Sequence, residues 1–71
     1  YGVILANIVA DVLIGLRVWF YRWLSEDGTL IVSGIIGTRA GGVKAALERA
    51  GFRVTETRRE NDWTAYELKK A

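Results

Sequence analysis

The chain opens on Tyr1-Gly2-Val3-Ile4-Leu5-Ala6, a continuous run whose strand is expected over about Gly2–Ala6 and which stops at Asn7. It lacks the polar alternation of a strand with one wet face. It therefore reads as a strand of a parallel sheet, covered on both faces. A helical pattern starts almost at once, at Ala10-Asp11. Asn7 thus falls at the carboxyl end of a strand, where open α/β sheets bind their ligands. Its side chain offers both a donor and an acceptor, which suits a ligand contact. Asparagine is also a good helix N-cap. Spacing alone favours the cap and leaves the contact open.

The following pattern predicts a helix over Asp11–Leu24. Val12, Leu13, Leu16, Trp19, Phe20, Trp23 and Leu24 keep the three-four spacing of one face. Ile14, Val18 and Tyr21 form a smaller stripe on the other side, so this helix wants two neighbours. Asp27-Gly28 ends it. Thr29–Ile36 reads as a second strand, apolar on both faces. A second helix is predicted over Arg39–Ala50, with Thr38 as its N-cap and Val43, Ala46, Leu47 and Ala50 facing inward. Gly51 suits the left-handed residue past its end, and Phe52 can fold back onto Leu47. Phe52–Arg59 and Trp63–Leu68 alternate and form a hairpin around Glu60-Asn61-Asp62. Lys69-Lys70-Ala71 is expected to be a frayed basic end and the natural C-terminus.

The order is strand, helix, strand, helix, strand, strand. Two right-handed crossovers in the same direction put both helices on one face of the sheet. The other face has no cover within these residues, and the outer side of the first strand is a candidate open edge. Composition points the same way. Hydrophobic residues make up 51% of only 71 positions, whereas a domain of this size hides roughly 60% of its unfolded surface. No methionine is present. The expectation is a piece of a larger domain, prone to self-association through the open face or edge. No run of about 18 apolar residues spans a membrane, and the first stretch has no basic leader of a signal peptide.

Chemistry is sparse. Without cysteine or histidine, there is no thiol nucleophile, no cysteine–histidine metal site and no imidazole base. No catalytic residue and no metal ligand is assigned. Gly37, Gly41 and Gly42 do not have the spacing of a phosphate loop. The carboxylates form no acid–base pair and read as solvated charge. Arg17, Trp19, Phe20, Tyr21, Arg22 and Trp23 could form a membrane-surface or nucleic-acid platform, but helical periodicity favours packing. Arg53, Arg58, Arg59, Lys69 and Lys70, interleaved with Glu56, Glu60 and Glu67, read as a charged edge. Trp63 reads as a core or cross-strand anchor rather than a stacking platform. The net charge of +2 fits weak attraction to an anionic partner without requiring one. If the chain belongs to an enzyme, a cofactor must carry the reactive group.

Four segments carry a resemblance: Leu5-Ala6-Asn7-Ile8-Val9-Ala10-Asp11-Val12-Leu13, Gly28-Thr29-Leu30-Ile31-Val32-Ser33-Gly34-Ile35, Ala50-Gly51-Phe52, and Trp63. Together, in this order, they resemble the C-terminal half of the S-adenosylmethionine-dependent methyltransferases that modify large-subunit ribosomal protein eleven in bacteria. The resemblance implies a partial Rossmann-like methyltransferase sheet of the α/β class. Its last strand runs antiparallel between the second and third, giving the order first-second-fourth-third. It implies that Asn7 helps bind S-adenosylmethionine beside the target amine, with Ile8 and Ser33 lining the substrate cleft. The glycine-rich cofactor loop is expected in the upstream half, so these residues alone are not expected to hold the cofactor or to be active. The implied partner is a ribosomal protein, with no direct nucleic-acid or membrane contact, in the cytoplasm. A class I methyltransferase with another substrate, and a non-catalytic interaction module, are the alternative readings.

Overall fold

The computed structural model describes residues 1–71. Its elements are β1 (Val3–Asn7), α1 (Ala10–Gly15), α2 (Arg17–Trp23), β2 (Thr29–Ile36), α3 (Gly37–Arg49), β3 (Phe52–Glu60) and β4 (Trp63–Lys70). The sheet order is β1-β2-β4-β3; β1 and β2 are parallel, and β4 is antiparallel to both of its neighbours. This is the order expected from the resemblance.

One core joins the three helices to one face of the sheet. Leu13, Phe20, Leu24, Val43 and Leu47 pack with Leu30, Val32, Ile35, Phe52, Tyr66 and Leu68. Strand alternation explains the selection: Ile4 and Ala6 turn inward on β1, while Val3 and Leu5 turn outward and are 59% and 74% exposed. The face opposite the helices is bare, as the topology predicts. Inside the core, the Tyr66 hydroxyl donates to the Ala40 carbonyl at 3.1 Å and ties the central strand to α3. No helix is long and apolar enough to cross a membrane.

Four local expectations need correction. The helix predicted over Asp11–Leu24 is two helices, broken at Leu16, whose φ of −95° and ψ of 0° leave the α basin. Gly15, a poor helix former, stands just before the break. The Arg17 guanidinium donates to the Ile14 carbonyl at 2.6 Å, an acceptor that the Val18 N–H would use in a continuous helix. The break re-sorts the apolar stripes. Ile14, Leu16 and Tyr21 pack against the core, whereas Val12, Val18, Trp19 and Trp23 stay exposed. Trp19 and Trp23 instead lie with ring centroids 6.0 Å apart, and the Arg22 guanidinium lies 5.6 Å from the Trp19 centroid.

Thr38 does not cap α3. The helix starts directly after β2, with Ile36 in the cap position and no side-chain cap bond. The Gly37 N–H donates to the Asp62 carbonyl at 2.9 Å, so the hairpin turn satisfies the helix start. Lys69 and Lys70 are not frayed: they pair with Arg53 and Phe52 on β3. The Lys70 ammonium sits 4.4 Å from the Tyr21 ring centroid, a cation–π geometry that explains why this basic end is ordered. At the other end of α3 the expected exit is present. Gly51 has a φ of +112°, its N–H donates to the Glu48 carbonyl at 3.1 Å, and Phe52 and Leu47 share the core.

Candidate functional site

β1 and β2 are parallel and in register, so Asn7 at the carboxyl end of β1 lies beside Ser33, beyond which β2 runs on to Ile36. Asn7 does not cap α1. The cap position is Val9, two residues on, and no side chain caps that helix. The Asn7 side chain is exposed and lines a depression of about 290 Å³ with Ser33, Gly34 and Trp63. Of the residues expected at a site, Asn7 and Ser33 therefore come together. Ile8 does not join them; it is half-buried and packs against the core.

Trp63 is the residue that sequence reasoning missed. It does pair across strands, with Ile36 and Glu60, yet 39% of it is exposed and it forms a wall of the depression. A signal existed in the alternation Trp63-Thr64-Ala65-Tyr66. Thr64 and Tyr66 are buried against the helices, which turns Trp63 to the open face. Only the placement of β4 next to β2 brings it near Ser33.

Beside this depression lies a smaller one of about 130 Å³, lined by Val9, Ala10, Asp11, Gly34, Ile36 and Arg39. Across it, the Arg39 guanidinium donates to the Asp11 carboxylate at 2.6 Å, joining α1 to α3. That hydrogen bond first, and the guanidinium charge second, hold Asp11 below the ordinary aspartate range; the same contact raises Arg39. A depressed carboxylate stabilises the fold above its unfolded pKa and loses that contribution as pH falls through its folded value. The pair is therefore intact at neutral pH and is lost only as pH falls below the ordinary aspartate range. Carbon-detected NMR titration should place the Asp11 midpoint below the ordinary value, and Arg39→Gln should return it there. An unchanged midpoint in Arg39→Gln would refute the assignment.

No three His, Cys, Asp or Glu side chains gather as a metal site. Gly37, Gly41 and Gly42 all lie within α3. What the strand ends offer is uncharged: a carboxamide, a hydroxyl, a bare Cα and an indole. Such a set can orient a ligand and form hydrogen bonds without exchanging protons.

The family model described as "Ribosomal protein L11 methyltransferase (PrmA)" matches residues 1–71. The chain belongs to this family. A ribosomal protein L11 methyltransferase of Anoxybacillus flavithermus is 46% identical over 68 residues, which cover 96% of this chain and 22% of the relative. The one of Bacillus subtilis is 43% identical over 70 residues, covering 99% and 22%. The chain thus spans about a fifth of the length of the curated relatives it matches. The crystal structure of a ribosomal protein L11 methylase from Lactobacillus delbrueckii subsp. bulgaricus superposes with a TM-score of 0.93 at 29% identity, over 97% of this chain and 36% of that one. The superposition takes in the whole sheet, including the antiparallel β4 between β2 and β3.

Proposed function

We propose that residues 1–71 form the C-terminal half of a class I methyltransferase domain. The whole protein then transfers a methyl group from S-adenosylmethionine to amino groups of a ribosomal protein. One observation carries this reading: in a chain that the family model matches over residues 1–71, Asn7 stands at the carboxyl end of β1 beside Ser33 of the adjacent parallel strand. Asn7 contacts the cofactor beside the target amine. Ser33 lines the substrate cleft, and Trp63 adds an aromatic wall to it.

The residues fit the cofactor as one wall of its site. Their depression of about 290 Å³ lies below the range of roughly 300–1,000 Å³ that encloses a drug-sized ligand. The relatives' remaining length supplies the glycine-rich loop, so the 71 residues alone bind no cofactor. When bound, S-adenosylmethionine would supply an electrophilic sulfonium methyl group, to which an amine lone pair would form an N–C bond as the C–S bond breaks and the neutral thioether leaves. Alignment and a neutral amine matter more here than a strong base. The Asn7 carboxamide can hold its partner in place without competing for the amine's proton, which passes to solvent. The reaction is cytoplasmic and needs no direct nucleic-acid or membrane contact. By itself the 71-residue chain self-associates through its bare sheet face or the β1 edge.

The test is a chimera in which these residues replace the matched segment of the Bacillus subtilis relative. Methyl transfer from labelled S-adenosylmethionine to ribosomal protein L11 should be retained. Asn7→Ala should lower kcat/KM by about tenfold, the loss of one hydrogen bond in the transition state. No transfer by a folded chimera, or transfer only to another amine, would refute the substrate. Full activity of Asn7→Ala would refute the contact.

A further inference from the structure

Gly34 sits where β2 departs from regular pairing. Val32 pairs with Tyr66 and Ile35 with Thr64, so Ser33 and Gly34 together oppose Ala65. This is a β-bulge, a device that re-aims side chains and concentrates next to active sites. Gly34 adopts a φ of +73°, the left-handed backbone that one form of bulge assigns to glycine. The extra residue returns Ile35 to the core after Val32, while Ser33 keeps the place on the open face beside Asn7 that alternation after Val32 gives it.

A second constraint on position 34 is independent of its torsion. A Cβ there would overlap the Asn7 carboxamide oxygen and stand 3.4 Å from its Cγ. Asn7 is exposed and caps no helix. On the β2 side the carboxamide oxygen therefore stands in space that only a residue without a Cβ leaves open. We infer that Gly34 is a positioning residue for Asn7: the bulge glycine provides the space in which the carboxamide stands at the mouth of the depression. The inference rests on the reading of Asn7 as the cofactor contact. It adds that any side chain at 34 displaces that contact, even one that tolerates the backbone.

The test uses the full-length chimera, with kcat, the KM for S-adenosylmethionine and the thermal midpoint measured for Gly34→Ala, Gly34→Asn, Asn7→Ala and the double variant Asn7→Ala/Gly34→Ala. Asparagine accepts left-handed torsions far better than alanine, so it separates backbone strain from the contact with Asn7. Gly34→Ala and Gly34→Asn should each lower kcat/KM about tenfold, mainly through a raised KM. The double variant should lose about tenfold, as Asn7→Ala does alone, rather than the hundredfold of independent sites. Removing the Asn7 side chain should also recover part of the thermal midpoint lost in Gly34→Ala. If Gly34→Ala yields no folded protein, recovery of folded protein in the double variant is the readout, and its absence overturns the inference. Additive losses, or wild-type transfer by Gly34→Asn, overturn it while leaving the cofactor contact intact. Unchanged transfer by Asn7→Ala overturns that contact and the positioning role together.

Discussion

Replacing Phe52 with alanine is expected to cost about 3–5 kcal/mol, the range for deleting a buried aromatic side chain. Phe52 is only 2% exposed and meets Tyr21 edge-to-face, with centroids 5.5 Å apart. It follows the left-handed Gly51, against which the Tyr21 ring also closes. One side chain therefore joins the exit of α3, the start of β3 and the packed side of α2. The cavity left by alanine cannot collapse easily, because Gly51 and the β3–β4 pairing hold the backbone on both sides. A chain of 71 residues has a total stability of roughly 4–11 kcal/mol at the usual 0.05–0.15 kcal/mol per residue. The substitution should thus remove roughly a quarter or more of it. Urea unfolding followed by tryptophan fluorescence would show the midpoint falling with little change in slope. A loss under about 1 kcal/mol would show that the α2–α3–β3 junction is not part of the cooperative core.

The second large effect lies on the bare sheet face. Leu5 is 74% exposed and pairs with Ile31, while Val3, Ile36 and Trp63 are also exposed. The 71-residue chain is expected to associate with its own copies through this surface. Fully burying one leucine contributes about 1.5–3 kcal/mol, and a symmetric contact counts it twice. Leu5→Lys should therefore weaken a dimer by a hundredfold or more and shift the chain to monomer at micromolar concentration. Sedimentation velocity across a concentration series measures this. A monomer at every concentration before substitution would refute the association. Leu5 is too exposed for its loss to unfold the monomer, so the melting of the monomeric variant provides the control.

Much of the architecture was legible because it is periodic. The apolar run before Asn7, the strand Thr29–Ile36, the alternating hairpin and the exit of α3 at Gly51 each carry a local pattern whose spacing matches one backbone geometry. The bare sheet face was legible from crossover handedness, which needs only element order. The break at Leu16 was not. Periodicity reports which positions are apolar, and both Tyr21 and Trp19 satisfy a helical stripe. Their separation into a core contact and an exposed ring follows from a change of helix axis that no spacing encodes. Thr38 and Asn7 were misread as caps for a related reason. Both are good capping residues, but the chain enters α3 straight from β2 and enters α1 two residues after Asn7, so neither occupies a cap position.

By itself, then, the sequence determined the order and type of the strands, the family resemblance and the placement of Asn7 at a strand end. Those features depend on neighbours along the chain. The tertiary structure decided the company they keep. Trp63, more than fifty residues from Asn7, reaches the same depression only because β4 inserts beside β2. Gly34 meets the Asn7 carboxamide only because a bulge coincides with the parallel register of β1 and β2. Contacts between distant segments depend on strand order and register, which are set by the packing of the whole sheet rather than by any local run of residues.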